Sequence, residues 1–366
     1  ASLINLYRMS KNKKPNKRHI PMIPQNKPQP HPVQMPPISS TMLDKMVDGR
    51  EFESLLKYQY HNLNVIGELQ KSIQEIKAIR KRPVVCYVAN VVKPTSTSIS
   101  IDDSDDLPFN EMIASLPADA KEIDIVLVTP GGFAHQVAKF VNKLRPRFEK
   151  VGFILLNKSM SAGTIFITSG DEIIMTNQSQ IGPVDPQVRT RNGEFVPAQS
   201  ILTLIEEIRI RGEEGLKKGQ KPSWTDLQIL NSIDPKEIGN AMNASNYSIQ
   251  LVEEYLYNFK FKNWTLHSNG TTQVTDAERK ARANEIAKML CDHGKWKNHG
   301  HAITREAAWE VCKLKITHAE TVNGLDKAMR RMWALYYWIF ENLPLTKVFI
   351  SENYCIMRND NNGVKK

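Results

Sequence analysis

Cysteine is scarce in this chain: Cys86, Cys291, Cys312 and Cys355 are its four in 366 residues, and no two share a CxxC spacing. That excludes a disulfide-framed secreted domain and a zinc ribbon, so the expectation is a reducing compartment and no bound metal. Long apolar runs are missing too. A membrane-spanning helix needs about 18 to 20 apolar residues, and the best candidate, MWALYYWIF from Met332 to Phe340, is bounded by Arg330, Arg331 and Glu341. It reads as a packed helix. The opening ASLINLYRMSKNKK carries charge without an apolar segment of signal-peptide length, which makes a cytoplasmic protein the expectation. No repeat of fixed period occurs, which excludes solenoids and propellers.

What is present has a globular balance, 41% hydrophobic and 24% charged residues, enough to bury a sizeable core. The net charge of +10 owes part of its excess to Arg8, Lys11, Lys13, Lys14, Lys17 and Arg18. A basic tail explains that excess more simply than a nucleic-acid-binding face. Residues 1–42 read as a disordered basic arm rich in proline, and 43–82 as a helical segment in which Ile66, Leu69, Ile73 and Ile76 mark one face. The preferred reading of that face is a helix packed on its own domain, with a short self-association seam as the alternative.

From Pro83 the pattern alternates. PVVCYVANVV, IDIVLVTPGG and VGFILLN are buried strands, DLPFNEMIASL and FAHQVAKFVNKL are helices, Ala162 to Ser169 opens another helix, and EIIM is a fourth strand. Repeated βα units of this length predict an α/β fold with a parallel sheet over residues 83–195. Residues 196–366 read as mostly helical, completing the core.

Ligands of open parallel sheets gather at the carboxyl ends of the strands. Two such ends here are built of small residues, TPGG (Thr129 to Gly132) and NKSMSAG (Asn157 to Gly163). Paired glycines allow backbone N–H groups to approach a ligand oxygen closely. A serine opening a helix joins a hydroxyl nucleophile to a free amide, so Ser161 with the Ala162 N–H, facing Gly131 and Gly132, predicts a nucleophile beside an oxyanion hole. Each motif alone is commonly structural, the serine an N-cap and the glycines a turn. Their occurrence on successive strands is the more specific signal.

VTPGGFAHQVAKFV, SMSAGTIFITSGDEIIM and QIGPVDPQV together resemble the Clp/crotonase superfamily. Within it the chain is most similar to the serine dehydrogenase proteinase-like family, related to signal peptide peptidase A. The likeness runs from about Pro83 to Val188 and returns more weakly between Gly294 and Ile316. The resemblance implies a Clp/crotonase-like core of repeated ββα/βαβ units, Ser161 as nucleophile, and Gly132 (or Gly131) with Ala162 as oxyanion donors. Ser159 becomes a turn residue.

The general base departs from the better-known pattern, because no histidine lies between Ser161 and His267. His299 in NHGHAI matches the family's later histidine, with His301 as its neighbour. Lys217 or Lys218 is the alternative, by likeness to Ser-Lys dyads. A histidine needs little tuning to act near neutral pH whereas a lysine must be strongly depressed, which favours His299. Asp185, between Pro183 and Pro186, either orients that histidine or shapes the turn, and His135 reads as a helix-surface residue.

These residues predict a serine endopeptidase without cofactor, acting on peptide or protein substrates and, by resemblance, assembled as a homo-oligomer. Competing readings are an acyl-CoA enzyme of the crotonase type and a non-catalytic assembly or adaptor protein.

Overall fold

The computed structural model describes residues 42–60, 63–296 and 300–360. The expected proline-rich arm falls almost wholly outside them, and His299 falls outside them as well.

In chain order the elements are α1 (Val65–Arg80), β1 (Val84–Ala89), α2 (Asp106–Ala114), β2 (Glu122–Thr129), α3 (Ala134–Leu144), β3 (Lys150–Ser159), α4 (Ala162–Thr168) and β4 (Glu172–Met175). Short strands β5 (Gln180–Ile181), β6 (Gln187–Arg189) and β7 (Phe195–Pro197) lead to the helices α5 (Ala198–Lys217), α6 (Trp224–Ser232), α7 (Pro235–Tyr255), α8 (Asp276–Leu290) and α9 (His293–Trp296). The chain closes with β8 (Ile303–Thr304), α10 (Arg305–Glu310), β9 (Thr317–His318), α11 (Leu325–Asn342), β10 (Leu345–Ile350) and β11 (Cys355–Asn359).

The α/β fold expected from the alternating pattern is the one observed. The central sheet runs β11-β10-β1-β2-β3-β4-β9, with β1 through β4 and β9 parallel and β10 antiparallel to β1. Every residue of β1 is buried, as an apolar strand covered on both faces requires. Its side chains alternate between two cores: Val85 and Tyr87 join Phe109, Phe140, Phe153 and Phe166 on one face, while Val84, Cys86 and Val88 join Leu69, Trp338 and Phe340 on the other.

Helix α3 turns Val137, Phe140, Val141 and Leu144 inward. Helix α1 buries Leu69, Ile73 and Ile76 but leaves Ile66 40% exposed, so the seam packs against its own domain. The MWALYYWIF stretch lies in α11 and is largely buried. Residues 196–366 do supply seven helices among the described residues, yet they also contribute β8 to β11. The antiparallel edge was not anticipated, because LTKVFI carries a lysine that interrupts its apolar pattern.

Candidate active site

Strands β2 and β3 are parallel neighbours, and their last paired residues are Thr129 and Ser159. The two loops that follow therefore leave the same end of the sheet side by side. Met160 N–H donates to Thr129 O at 3.1 Å, which stitches them together where they diverge into α3 and α4. A Cβ placed on Gly131 would lie 2.7 Å from Met160 O, 2.9 Å from Ser161 Cβ and 3.3 Å from Ala162 N. The sequence-predicted pair of motifs is thus in direct contact, and only glycine permits the approach.

Ser161 sits at the N-cap position of α4 with φ 49° and ψ −114°. A left-handed φ of this kind costs a non-glycine residue about 1–3 kcal/mol and persists only where the surroundings impose it. An ordinary N-cap serine is extended and accepts a bond from the second or third helical amide. Ser161 makes no such capping bond. The simple capping explanation of this serine therefore fails, and 6% of the residue remains exposed.

The surroundings that impose this turn are identifiable. All seven residues of α4 are buried, with Phe166 packed against Phe109, Phe140 and Phe153. Gly163 lets the helix press on β2 and β3, since a Cβ there would stand 2.5 Å from Thr129 Cγ2 and 2.6 Å from Ser159 Oγ. Thr164 Oγ1 donates to Ser159 O at 2.9 Å or to Gly182 O at 2.8 Å, and it accepts from Gly182 N–H at 3.2 Å. SAGT and IGP are thereby tied by one hydroxyl.

The amides divide into engaged and open ones. Gly131 N–H donates to Thr129 Oγ1 at 3.1 Å, so it is already spent. Gly132 N–H and Ala162 N–H have no acceptor among the described residues. Gly132 (φ 148°) forms a parallel bridge with Ile101, in which Ile101 N–H donates to Gly131 O at 2.7 Å and Phe133 N–H to Ile101 O at 2.9 Å. In such a bridge the central residue's own N–H points away from the partner strand. Sequence reading missed Thr129 and Ile101; a hydroxyl directly before the PGG run was the available sign of the first, and the second carried none.

Asp185 is 2% exposed. It lies near Cys291, whose thiol burial pushes up to about 12, with the Asp185 carboxylate as the second cause. The neighbouring Val184 N–H donates to Leu290 O at 2.8 Å. Strand β8 approaches from the same side, with Ile303 opposite Ile181. Trp296 is buried, its Nε1–H donating to Met289 O at 2.7 Å, and its ring lies 5.2 Å from that of the exposed His301. Ile303 and Thr304 thus lie against Gln180 and Ile181, where the IGPVDP segment begins.

Lys217 ends α5 and Lys218 follows it, both exposed. His135 is exposed on the first turn of α3, stacked on Phe133 with ring centroids 5.3 Å apart, and 3.5 Å from Asp103. It is a helix-surface residue, as read from the sequence. Among the described residues no cluster of three or more His, Cys, Asp or Glu side chains is arranged to hold a metal ion, and no helix is long and apolar enough to cross a membrane.

Comparison with known proteins bears on the same segment. Residues 53–214 match the model of the ClpP-like SDH-type serine proteinase family. Two uncharacterized proteins of Methanocaldococcus jannaschii are similar to the chain. One is 28% identical over 218 residues, covering 60% of this chain and 60% of that protein. The other is 27% identical over 287 residues, covering 78% and 80%. The chain therefore spans less than two thirds of the first relative's length.

Among solved structures, a serine-to-alanine mutant of the 1510-N membrane-bound stomatin-specific protease is similar with a TM-score of 0.35 and 16% identity, covering 63% of this chain and 79% of that one. A lysine-to-alanine mutant of the same protease, in complex with a substrate peptide, gives 0.34 and 15%, with coverages of 60% and 70%. The matched residues 53–214 hold both the Gly131–Gly132 loop and the Ser161 turn, so it is this part of the chain that is similar to the ClpP-like SDH-type serine proteinases.

Proposed function

We propose that the protein is a serine endopeptidase that works through an acyl-enzyme on Ser161. The observation that carries this reading is the Ser161 turn: a strained, non-capping serine, pressed against a diglycine loop, with the open amides of Gly132 and Ala162 on either side. Ser161 Oγ attacks the scissile carbonyl carbon while its proton passes to the base. The carbonyl oxygen takes up the negative charge and is met by the Gly132 and Ala162 N–H groups. Collapse breaks the C–N bond, the amine leaves with the proton, and water hydrolyses the ester to free the carboxylic acid and Ser161.

His299 is the proposed base and Asp185 its orienter. The described flanks of residues 297–299 support this by running beside the segment that carries Asp185. Lys217 and Lys218 are the weaker choice, because both are exposed at the far end of a long helix and nothing there desolvates an ammonium. The reading extends to a cytoplasmic homo-oligomer, for which light scattering that returns the mass of a single chain would be a refutation.

The test is labelling with a fluorophosphonate probe and location of the adduct by mass spectrometry. An adduct on Ser161 that slows in His299→Ala is the expected result. Absence of any adduct in active-site-intact protein would reject the nucleophile and favour a non-catalytic role.

A further inference from the structure

Ile101 fixes the Gly132 amide, so whatever fixes Ile101 bears on the proposed oxyanion hole. Both peptide groups flanking Ile101 are held by one buried ion pair. Lys347 Nζ donates to Ser100 O at 2.6 Å and to both Asp105 carboxylate oxygens at 2.9 Å. Asp105 Oδ2 in turn accepts Asp102 N–H at 3.1 Å and Tyr87 Oη–H at 2.8 Å, while Arg358 Nη1 donates to Asp105 Oδ1 at 2.9 Å. Lys347 is 1% exposed and Asp105 0%.

Such a pair is an expensive way to hold a fold together. Desolvating two charges costs several kcal/mol, and apolar residues of similar volume often serve stability as well or better. A requirement for one backbone conformation gives a reason to keep it. Lys347 projects from β10, which pairs with β1, and Asp105 is also bonded by Tyr87 of β1 and Arg358 of β11, so the clamp ties the loop above to the sheet.

We infer that Lys347 and Asp105 are positioning residues that hold Ser100–Asp102 so that Ile101 aims the Gly132 N–H at the substrate carbonyl. The inference rests on the serine peptidase reading of Ser161. Neither side chain touches the substrate; both act through the Ile101 backbone.

The test is the double variant Lys347→Met/Asp105→Asn, which removes both charges and keeps an acceptor for Asp102 N–H and Tyr87. Labelling by the fluorophosphonate probe is resolved into its binding constant and its rate at saturation, alongside inhibition by a peptide aldehyde, whose tetrahedral adduct uses the oxyanion hole. Removal of an oxyanion donor costs roughly 100- to 1000-fold. A misaimed donor is expected to slow labelling at saturation at least tenfold, with probe binding unchanged within twofold and aldehyde affinity falling in parallel. If the double variant does not fold, Asp105→Asn alone is read in the same way, with a several-fold loss expected.

A folded variant that labels as fast as the wild type overturns the inference, as does a loss confined to probe binding. Failure of the peptidase reading looks different, because the wild type then takes no label on Ser161. In that case hydrogen exchange still examines the clamp: concerted acceleration across 100–106 and 131–133 in the variant is expected, and unchanged exchange removes it.

Discussion

The Ser161 turn and the α5–α6 arm are neighbours in sequence and opposites in construction. Helix α4 has seven residues and buries all of them, whereas α5 buries only Ala198 and Ile208 of its 20, and α6 buries none. Helix α6 is held by local devices: a Ser223 side chain that accepts Asp226 N–H, and an Arg211–Asp226 pair at 2.9 Å. Trp224 is left 76% exposed. A helix of nine residues gains little from propensity alone. The contrast teaches that a strained backbone such as that of Ser161 is affordable only where packing over-determines it, which is where a reacting group can be held to within a fraction of an ångström.

Replacing Ser161 with Ala should abolish probe labelling and peptide hydrolysis while leaving the fold intact, as thermal melting would record. Residual hydrolysis above background would move the nucleophile elsewhere. Next in size, Gly132→Ala must fit a Cβ 2.2 Å from Ile101 O at a φ of 148°. A loss of at least 100-fold in kcat/KM is expected from the displaced amide, and an unaffected enzyme would mean that this loop plays no part in chemistry.

The third prediction sets the two regions against each other. His299→Ala should cost roughly 100- to 10,000-fold in kcat, the usual weight of a general base, while Lys217→Ala and Lys218→Ala on the arm should stay within about twofold. The reverse pattern, in a pH-rate profile as well as in kcat, would transfer the base to α5. On the side of stability, Phe166→Ala should cost about 3–5 kcal/mol by denaturant melts, against less than about 0.5 kcal/mol for Trp224→Ala in the monomeric state. A large loss at Trp224 would reveal that the arm is covered by another surface.

The smallest effect concerns a terminal tether. Hydrogen bonds from the Ser96 hydroxyl and amide, with that from the Thr97 amide, hold the half-buried Asp360 carboxyl down at about 2. Because the folded value lies below the ordinary carboxylate range near 3.9, this contribution is complete above that range and is lost as pH falls through about 2. Asp360→Asn should therefore leave the melting curve at pH 7 slightly lowered and flatten its acid limb by a small amount. An acid limb identical to that of the wild type would show that the tether carries no stability.

Much of the fold was legible because buried parallel strands leave unbroken apolar runs and amphipathic helices leave a period. VVCYVA, EIDIVLVT and AHQVAKFVNKL are of this kind. Ser161, Gly131, Gly132 and Ala162 were legible as a pair of small-residue loops at strand ends. What stayed hidden was whatever depends on partners far away in sequence. Strand β10 was masked by Lys347, whose charge makes sense only beside Asp105, a residue 242 positions away. Nor could the sequence say which glycine amide was open, because that rests on one hydroxyl bond from Thr129 Oγ1 to Gly131 N–H.

By itself the sequence determined the alternation of strands and helices from Val84 to Met175, the two loops that carry the candidate chemistry, and the apolar faces that drive them together, since hydrophobic period and turn chemistry are local properties. Only the tertiary structure decided that Ser161 is strained and uncapped, that Gly132 instead of Gly131 offers its amide, and that β10 and its buried lysine stand behind that amide. Each of those is set by contacts between residues distant in the chain, and such contacts exist only once burial has brought the strands side by side.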